Sequence, residues 1–292
     1  MTTIEEIDVE NTDVDAAAAE EFASRLIEII NGGLLTSLID IGRRTGLFEL
    51  ATAGPATSAE LAERGGLQER YVREWLAGMA TAGIFEYDAE NRRFWLPVEH
   101  AALLTGDTYD NLAPVAYLVS VITRQGDAVA KCFLEGGGVP WDAYVPQIHD
   151  VMDVLWQPMY RDILVQQILP LAPGLVNRLD SGTRAADVAC GAGNGTVVMA
   201  RRFPNSTFVG YDQDAAAIAV ARSRARGLTN VSFEVADAAT LTSDQPFGVA
   251  FVFNAVHDQA RPLEVLTSIR SIREPGGTLL MNEPRISSNL DD

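Results

Sequence analysis

The sequence predicts an α/β protein, with a doubly wound, mostly parallel sheet in its C-terminal part and a helical domain before it. From Arg184 onward, short apolar runs alternate with helical segments, which is typical of a parallel sheet covered by helices on both faces. A glycine-rich turn, "ACGAGNG", follows the first of these runs. The chain of 292 residues is long enough for about two domains.

The chain is strongly acidic, with 40 Asp and Glu residues against 22 Lys and Arg and a formal net charge of −18. Such a surface repels phosphate backbones and anionic lipids, so we expect neither nucleic acid nor a membrane as partner. No run of about 18–20 consecutive apolar residues is present, which predicts no transmembrane helix. The acidic N-terminus lacks the basic start of a signal peptide, so we expect a cytoplasmic protein. The Arg- and Ala-rich composition indicates a bacterial source.

Residues 16–105 predict a winged-helix domain, preceded by an acidic flexible tail at residues 1–15. Several helical segments are followed by two short strands, at 84–87 and 93–96, with a polar turn between them. The helix that would enter a DNA groove carries as many acids as arginines in its first turns, and DNA readers show a basic stripe instead. We therefore expect a role in dimerisation or packing.

The first two predicted helices expose more apolar surface than a small winged domain can bury. The first helix is expected to end at Gly32 and Gly33, and the second at Gly46, while Ser58 is the expected N-cap of the third. Their apolar faces predict a homodimer interface. The residues of these faces are Phe22, Leu26, Ile29, Ile30, Leu34, Leu35, Leu38 and Ile39.

Residues 106–180 predict a helical, aromatic-rich segment that has two interpretations. It is either a packed connector or a lid over a pocket for an apolar or aromatic substrate. Three glycines at 136–138, before Pro140, suit the hinge of such a lid. Under the lid interpretation, the candidate substrate-binding residues are Trp141, Tyr144, His149 and Trp156.

Ligands of open parallel sheets bind at the carboxyl ends of the strands, where this sequence places several acids. Asp212 follows the second strand, 21 positions after Gly191, and a carboxylate there suits the hydroxyls of a ribose. The glycine turn does not match the dinucleotide fingerprint G-x-G-x-x-G. Because Asp187 and Asp237 add further negative charge, the site favours a nucleoside with a sulfonium cation over a pyrophosphate.

Four motifs, "ADVACGAG", "GYDQD", "VADA" and "REPGGTLLMNEP", occur in this order across residues 184–285. In these motifs the chain resembles the class I S-adenosylmethionine-dependent methyltransferases, which implies a Rossmann-like fold and S-adenosyl-L-methionine as cofactor. Ala189 departs from the family, which usually has glycine there. The cofactor-binding residues implied by the resemblance are Asp187, Gly191, Ala192, Gly193, Asp212, Gln213, Asp237, Ala238 and Asn254.

The resemblance also implies individual roles at this site. Asp212 would hold the ribose hydroxyls, and Asp237 would accept a hydrogen bond from the adenine amino group. The alternative for Asp237 is that it is only a helix N-cap. Asn254 would contact the methionine part through its backbone. We expect none of the site residues to bind a metal.

With its N-terminal winged-helix domain, the chain resembles more specifically the O-methyltransferases that act on phenols and polyketides. It implies a small-molecule methyl acceptor, aromatic or apolar and most often methylated at oxygen. In that group a His after the fourth strand is the general base, which corresponds to His257. Asp258 or Glu283 would orient its ring, with Glu283 the chosen catalytic partner. The alternative is that His257 only caps the loop or contacts the cofactor.

Two other functions stay open at this point: a winged-helix regulator that binds S-adenosylmethionine without turnover, and an NAD-dependent oxidoreductase. Residues 181–292 are expected to form the S-adenosylmethionine-binding domain. The sheet of the family has seven strands, whereas the sequence after Arg184 supplies five. We therefore expect the C-terminal strands of the sheet to be missing, as in a shortened domain.

Overall fold

A computed structural model of the chain describes residues 14–285, 287 and 289. The described chain divides into two compact units. The first comprises residues 14–106 and 115–120, and the second comprises 107–114 and the described residues from 121 onward. The predicted acidic tail lies outside the described residues except for Val14 and Asp15.

The first unit consists of helices followed by a two-stranded antiparallel hairpin, and the winged-helix prediction is confirmed. Its core centres on Trp75, whose ring lies 5.2 Å from Phe48 and 5.4 Å from Phe85 between centroids. The Trp75 indole nitrogen donates to the Leu38 carbonyl at 2.8 Å, which joins the first helix to the core. The elements are α1 (Ala16–Thr45), α2 (Leu47–Ala51), α3 (Ser58–Gly65), α4 (Glu69–Thr81), β1 (Glu86–Asp88), β2 (Arg93–Trp95) and α5 (Val98–Leu104).

Helix α1 is a single helix of 30 residues, so the predicted break at Gly32 and Gly33 is wrong. A helix that ends on glycine uses a left-handed φ there, and neither residue has one, whereas Gly46 has φ +71° and ends the helix as predicted. By length and mean hydropathy alone, α1 meets the requirement for a membrane-spanning helix. The helix contains no unbroken apolar run of membrane-spanning length, because polar residues and glycines interrupt its apolar stretches.

The predicted N-cap of α3 is off by one residue. Thr57, rather than Ser58, accepts from the Glu60 amide at 3.2 Å, and the Glu60 carboxylate accepts from the Thr57 amide at 2.8 Å. These reciprocal bonds form a capping box. The Ser58 hydroxyl donates instead to Glu69 at 2.7 Å.

The second unit is built on a five-stranded sheet in which every neighbouring pair of strands is parallel, and this confirms the predicted α/β fold. Its helices are α6 (Ala113–Thr123, of which 115–120 belong to the first unit), α7 (Gly126–Glu135), α8 (Gln147–Asp162), α9 (Leu175–Ser181), α10 (Asn194–Arg202), α11 (Ala215–Arg224) and α12 (Pro262–Ile272). Its strands are β3 (Arg184–Val188), β4 (Thr207–Asp212), β5 (Val231–Val235), β6 (Phe247–Phe253) and β7 (Arg273–Asn282).

The order of the strands is β5-β4-β3-β6-β7. Strands β4 and β5 follow β3 toward one edge of the sheet, and β6 and β7 continue from β3 toward the other edge, so the strand order reverses between β3 and β6. All seven residues of β6 are buried, as expected of a central strand covered on both faces. Strand β7 extends beyond the predicted 278–281 because Arg273 also pairs with Phe247 across a register shift. A reversal of this kind opens a crevice at the carboxyl ends of the strands.

Ala189 follows β3 directly and has φ +58°, in the left-handed region. This conformation costs a residue with a side chain about 1–2 kcal/mol, and glycine avoids the cost. A glycine also makes the unfolded chain more flexible, which offsets about 0.5–1 kcal/mol of this stabilisation. We therefore expect Ala189→Gly to raise the free energy of unfolding by about 0.5–1 kcal/mol, measured by urea denaturation.

The matched control is Ala186→Gly in β3, where the replaced side chain is fully buried in the core. This control should destabilise the protein, because it removes a buried methyl group and relieves no strained backbone conformation. A loss of stability in both variants would show that the turn at residue 189 is unstrained.

Candidate active site

A cavity of about 490 Å³ opens at the carboxyl ends of β3, β4 and β6, and residues 139–265 of the second unit supply its wall. The site residues predicted from sequence that line it are Trp141, His149, Trp156, Gly191, Ala192, Asp212, Gln213, Asp237, Ala238 and Asn254. Those that do not line it are Tyr144, Asp187, Gly193, His257 and Glu283.

The glycine turn needs its two glycines for different reasons. Gly191 has φ +53° and open space where a side chain would stand, so a ligand can approach its backbone closely. Gly193 has φ +75°, and a Cβ there would come within 2.7 Å of Phe233 and 2.8 Å of Ala221. Gly193 therefore allows the turn to pack on the core, while Gly191 and Ala192 face the cavity.

Asp212, at the end of β4, holds the glycine turn in place. One carboxylate oxygen accepts from the Gly191 amide at 2.8 Å, and the other accepts from the Asp214 amide at 2.9 Å. Burial raises the pKa of Asp212 above its ordinary value, although the two backbone hydrogen bonds oppose that rise. The carboxylate keeps further lone pairs for hydroxyl groups that enter the cavity.

Asp187, predicted to contact the cofactor, is buried and does not line the cavity. It is 3% exposed and accepts from the Thr196 hydroxyl at 2.5 Å. Burial raises the pKa of Asp187 to about 7, although the bond from Thr196 opposes the rise. Its contact with the cofactor, which the motif implied, stays a prediction.

Asp237 follows β5 and has two partners. One oxygen accepts from the Ala239 amide at 2.8 Å, so the residue caps a short 3₁₀ turn at Ala238–Thr240, and the other pairs with Arg261 at 2.7 Å. The N-cap alternative is therefore present in the structure. Because the side chain also lines the cavity, the cap and a ligand contact are compatible.

Asn254 follows β6 with φ +51°, a conformation that asparagine tolerates better than most residues. Its amide donates to the Asn282 carbonyl at 2.7 Å, which fixes the end of the strand. Its side-chain Nδ2 is buried and has no hydrogen-bond partner among the described residues. The site thus contains an unused donor at the end of β6.

His257 and Glu283 contact each other just outside the cavity wall. Glu283 accepts from His257 Nδ1 and also from the Ala255 and Val256 amides, at 3.1 and 2.8 Å. These hydrogen bonds outweigh the effect of burial, which raises the pKa, and hold the pKa of Glu283 below its ordinary value. His257 Nε2 lies 3.5 Å from Asp258, which does line the cavity. Both acids proposed to orient the ring are therefore beside it, with Glu283 on Nδ1.

The aromatic segment before the sheet contributes one wall of the cavity. Trp141 and Trp156 line it, whereas Tyr144, from the same 3₁₀ turn as Trp141, does not. His149 lines it but is already bonded, through Nε2, to Asp214 at 2.5 Å. The structure thus places His149 against the loop after β4.

Sequence reasoning missed further residues of the wall, among them Asp153, Tyr160 and Arg224. Asp153 and Tyr160 follow His149 at helical spacing on α8, and this periodicity was the available signal. Arg224, the last residue of α11, carried no local signal. Among the residues that the structure describes, no cluster of His, Cys, Asp and Glu forms a metal site.

Comparison with known proteins identifies both parts of the chain. Residues 33–106 match the Rv2258c-like winged HTH domain, and residues 179–292 match a methyltransferase domain. A trans-aconitate 2-methyltransferase of Sinorhizobium fredii is 36% identical over 135 residues, which are 45% of this chain and 45% of that protein. A second one, from Methylobacterium radiotolerans, is 29% identical over 131 residues, or 44% and 49% of the two chains. The chain thus spans about half the length of the curated relatives that it matches.

Solved structures share the fold over most of the chain. The mitomycin 7-O-methyltransferase MmcR superposes with a TM-score of 0.69 at 19% identity, covering 94% of this chain and 83% of that one. Human N-acetylserotonin methyltransferase, solved with S-adenosylmethionine, gives 0.63 at 16% identity over 93% and 81%. At such identities the likeness establishes the fold. The chain thus combines a stretch that matches a winged HTH domain, residues 33–106, with one that matches a methyltransferase domain, residues 179–292, in the fold that these solved methyltransferases share.

Proposed function

We propose that this protein transfers a methyl group from S-adenosylmethionine to a small aromatic or apolar acceptor, most often at oxygen. The observation that carries the proposal is the meeting of the glycine turn, Asp212 and Asp237 in one cavity at the strand ends. These are the three positions at which the family resemblance puts the methionine end, the ribose and the adenine. The donor supplies a methyl group on a sulfonium cation.

The residues of the cavity suit this donor chemically. Asp212 has free lone pairs for the ribose hydroxyls, and Asp237 with the Ala238 amide suits the adenine edge. The open space over Gly191 admits a ligand against the backbone, and Asn254, which lines the cavity, would contact the methionine part through its backbone. The acids around the cavity favour a cationic ligand over a pyrophosphate.

The acceptor side of the cavity is aromatic and apolar, which supports an acceptor of the same character. Trp141, Met152, Trp156 and Phe253 contribute to it. Trans-aconitate, for which the curated relatives are named, is a polycarboxylate. We do not extend that acceptor to this chain, because cavity acids such as Asp150 would repel it.

We propose His257 as the general base and Glu283 as the residue that orients it. When Nδ1–H donates to Glu283, the imidazole is held in the tautomer whose Nε2 carries the lone pair. His257 lies outside the cavity wall, but its Nε2 is 3.5 Å from Asp258 of that wall, and an acceptor hydroxyl that reaches Nε2 there can give its proton to the lone pair as the oxygen attacks the methyl carbon. The chain's other contributions are alignment of the acceptor and exclusion of water.

We also propose a homodimer that forms through α1. Its apolar face stays exposed in the structure, with 67% of Phe22 and 57% of Ile29 accessible. The opposite face packs on the core of the first unit through Leu35, Leu38 and Ile39, which were predicted to belong to the excess apolar surface. A second copy of the chain would cover the exposed face.

We further propose that the protein is bacterial and cytoplasmic and that it has no nucleic acid or membrane partner. The arginines of α4 support the exclusion of DNA, since Arg70 pairs with Glu74 at 3.0 Å and Arg73 lies 3.9 Å from Glu69. A helix whose cations are neutralised in this way presents no basic stripe to phosphates.

The donor assignment predicts the effect of Asp212→Ala on cofactor binding. Loss of the charged hydrogen bonds to ribose should weaken binding of S-adenosylhomocysteine by about 1.5–3 kcal/mol, measured by isothermal titration calorimetry. Asp244→Ala, which changes an exposed acid in the same unit, is the control and should bind normally. Unchanged affinity in Asp212→Ala would contradict the assignment.

The base assignment predicts that His257→Ala leaves S-adenosylhomocysteine affinity intact but lowers turnover of a phenolic acceptor at least about 100-fold. Turnover is followed by mass spectrometry of the methylated product across a panel of phenols. Glu283→Gln should lower turnover less, because the amide still accepts from the loop amides but holds the ring more weakly. Equal turnover in the wild type and His257→Ala would show that the acceptor needs no base, and a wild type that binds donor without any turnover would favour the regulator.

The dimer proposal predicts a mass of two chains by light scattering at micromolar concentration. Adding charge to the exposed face with Leu26→Glu and Ile30→Glu should give monomers, because two carboxylates would be buried at the interface. Ser24→Glu, on the opposite face of the same helix, should remain dimeric. A monomeric wild type would contradict the interface.

A further inference from the structure

Helix α8 faces the cavity with one side, formed by His149, Asp153, Trp156 and Tyr160. These residues follow each other at helical spacing, so they form a single stripe. His149 bonds to Asp214 in the loop after β4, whereas Asp153 bonds to Asn194 of α10 and Arg224 of α11. The same helix therefore contacts elements that surround the proposed donor position and supplies two aromatic residues to the cavity wall.

Asp153 forms the centre of a side-chain network behind the glycine turn. Its Oδ1 and Oδ2 accept from Arg224 at 2.8 and 2.6 Å, and Oδ1 also accepts from Asn194 Nδ2 at 2.7 Å. Arg224 donates in turn to Asn194 Oδ1 at 2.7 Å and to the Ala192 carbonyl at 3.2 Å. Ala192 stands between the two left-handed glycines of the turn. The network thus joins α8 to the backbone of the turn through one guanidinium.

The glycine turn needs such an external restraint. Gly191 and Gly193, both left-handed, give this segment more accessible conformations than a loop without glycine, and Ala189 before them has a strained left-handed φ. The ion pair is well suited to restrain it, since Asp153 and Arg224 are each only 28% exposed and bulk solvent screens them weakly. The hydrogen bonds of Arg224 and Asn194 outweigh the effect of burial and hold the pKa of Asp153 below its ordinary value. The carboxylate is therefore charged at neutral pH.

A second contact joins the same helix to the other side of the site. His149 bonds to Asp214, whose other oxygen accepts from the Ala216 and Ala217 amides and caps α11. Arg224 is the last residue of α11. Helix α8 is thus bonded to both ends of the helix that follows Asp212.

We propose that Asp153 and Arg224 are positioning residues of the methyl-donor site. Their ion pair holds the Ala192 carbonyl, and with it the glycine turn, in the conformation that receives the donor. This inference rests on the proposed function, because it assigns a role in binding the same donor. Neither residue is required to touch the reacting atoms.

A double-mutant cycle tests the proposal, with the dissociation constant of S-adenosylhomocysteine measured by calorimetry. The variants are Asp153→Asn, Arg224→Gln and the pair combined. Each single change should weaken binding about tenfold, and the combined variant should bind about as weakly as either, because both remove one interaction. The control cycle uses Asp180→Asn and Arg202→Gln, an ion pair of 2.8 Å in the same unit that does not line the cavity. Its affinity should stay at the wild-type value.

Thermal unfolding of each variant separates positioning from a general loss of stability. All affinities are taken at a temperature where circular dichroism shows the variant folded. If Arg224→Gln does not fold, Asp153→Asn decides alone, since its amide keeps the size of the side chain. A lower melting temperature with unchanged affinity would overturn the proposal.

The same titrations distinguish failure of this inference from failure of the proposed function. A wild type that binds S-adenosylhomocysteine and variants that bind it equally well would overturn the positioning role and leave the donor assignment intact. Additive losses in the combined variant would also overturn it, because independent effects add. A wild type with no affinity for S-adenosylhomocysteine would overturn both.

Discussion

The hydrogen bond from the Gly191 amide to the Asp212 carboxylate is the constraint on which the rest of the site depends. It joins the turn after β3 to the end of β4. The other oxygen of Asp212 holds the amide of Asp214, which caps α11 and bonds to His149. A single carboxylate thereby sets the glycine turn, the start of the next helix and one contact of α8. The same group is the proposed partner of the ribose, so binding and loop geometry use one side chain.

Two acids at the strand ends, Asp187 and Asp212, are held where their charged forms are unfavourable. Burial raises the pKa of Asp187 to about 7, and burial also raises the pKa of Asp212, with the charge of Asp214 contributing. Like charges held together in a low-dielectric region are unfavourable until a cation compensates them. A donor with a sulfonium and an ammonium group provides that compensation, which gives the acidity of the cavity a physical role in selecting its ligand. Paired acids such as Asp153 are already compensated by Arg224.

The parts of the fold that local patterns determine were predictable from sequence. Continuous apolar runs marked the strands, and the residues just after them, such as Asp212 and Asn254, line the cavity because parallel strands end at one edge. Predictions failed where tertiary packing overrode a local sequence pattern. Gly32 and Gly33 resemble a helix end, yet the helix continues because the residues beyond them pack on the core of the first unit. The roles of Asp153 and Arg224 were out of reach, since their pairing joins positions far apart in the chain.

The most direct test of the central claim is a crystal structure of the protein with S-adenosylhomocysteine. We expect the ribose hydroxyls within hydrogen-bond distance of Asp212, the adenine beside Asp237 and Ala238, and the methionine portion over Gly191 toward Asn254. The vacant side of the sulfur should then face the aromatic wall that contains Trp156. Density for the ligand away from the carboxyl ends of β3 and β4, or a ribose that does not contact Asp212, would contradict the claim.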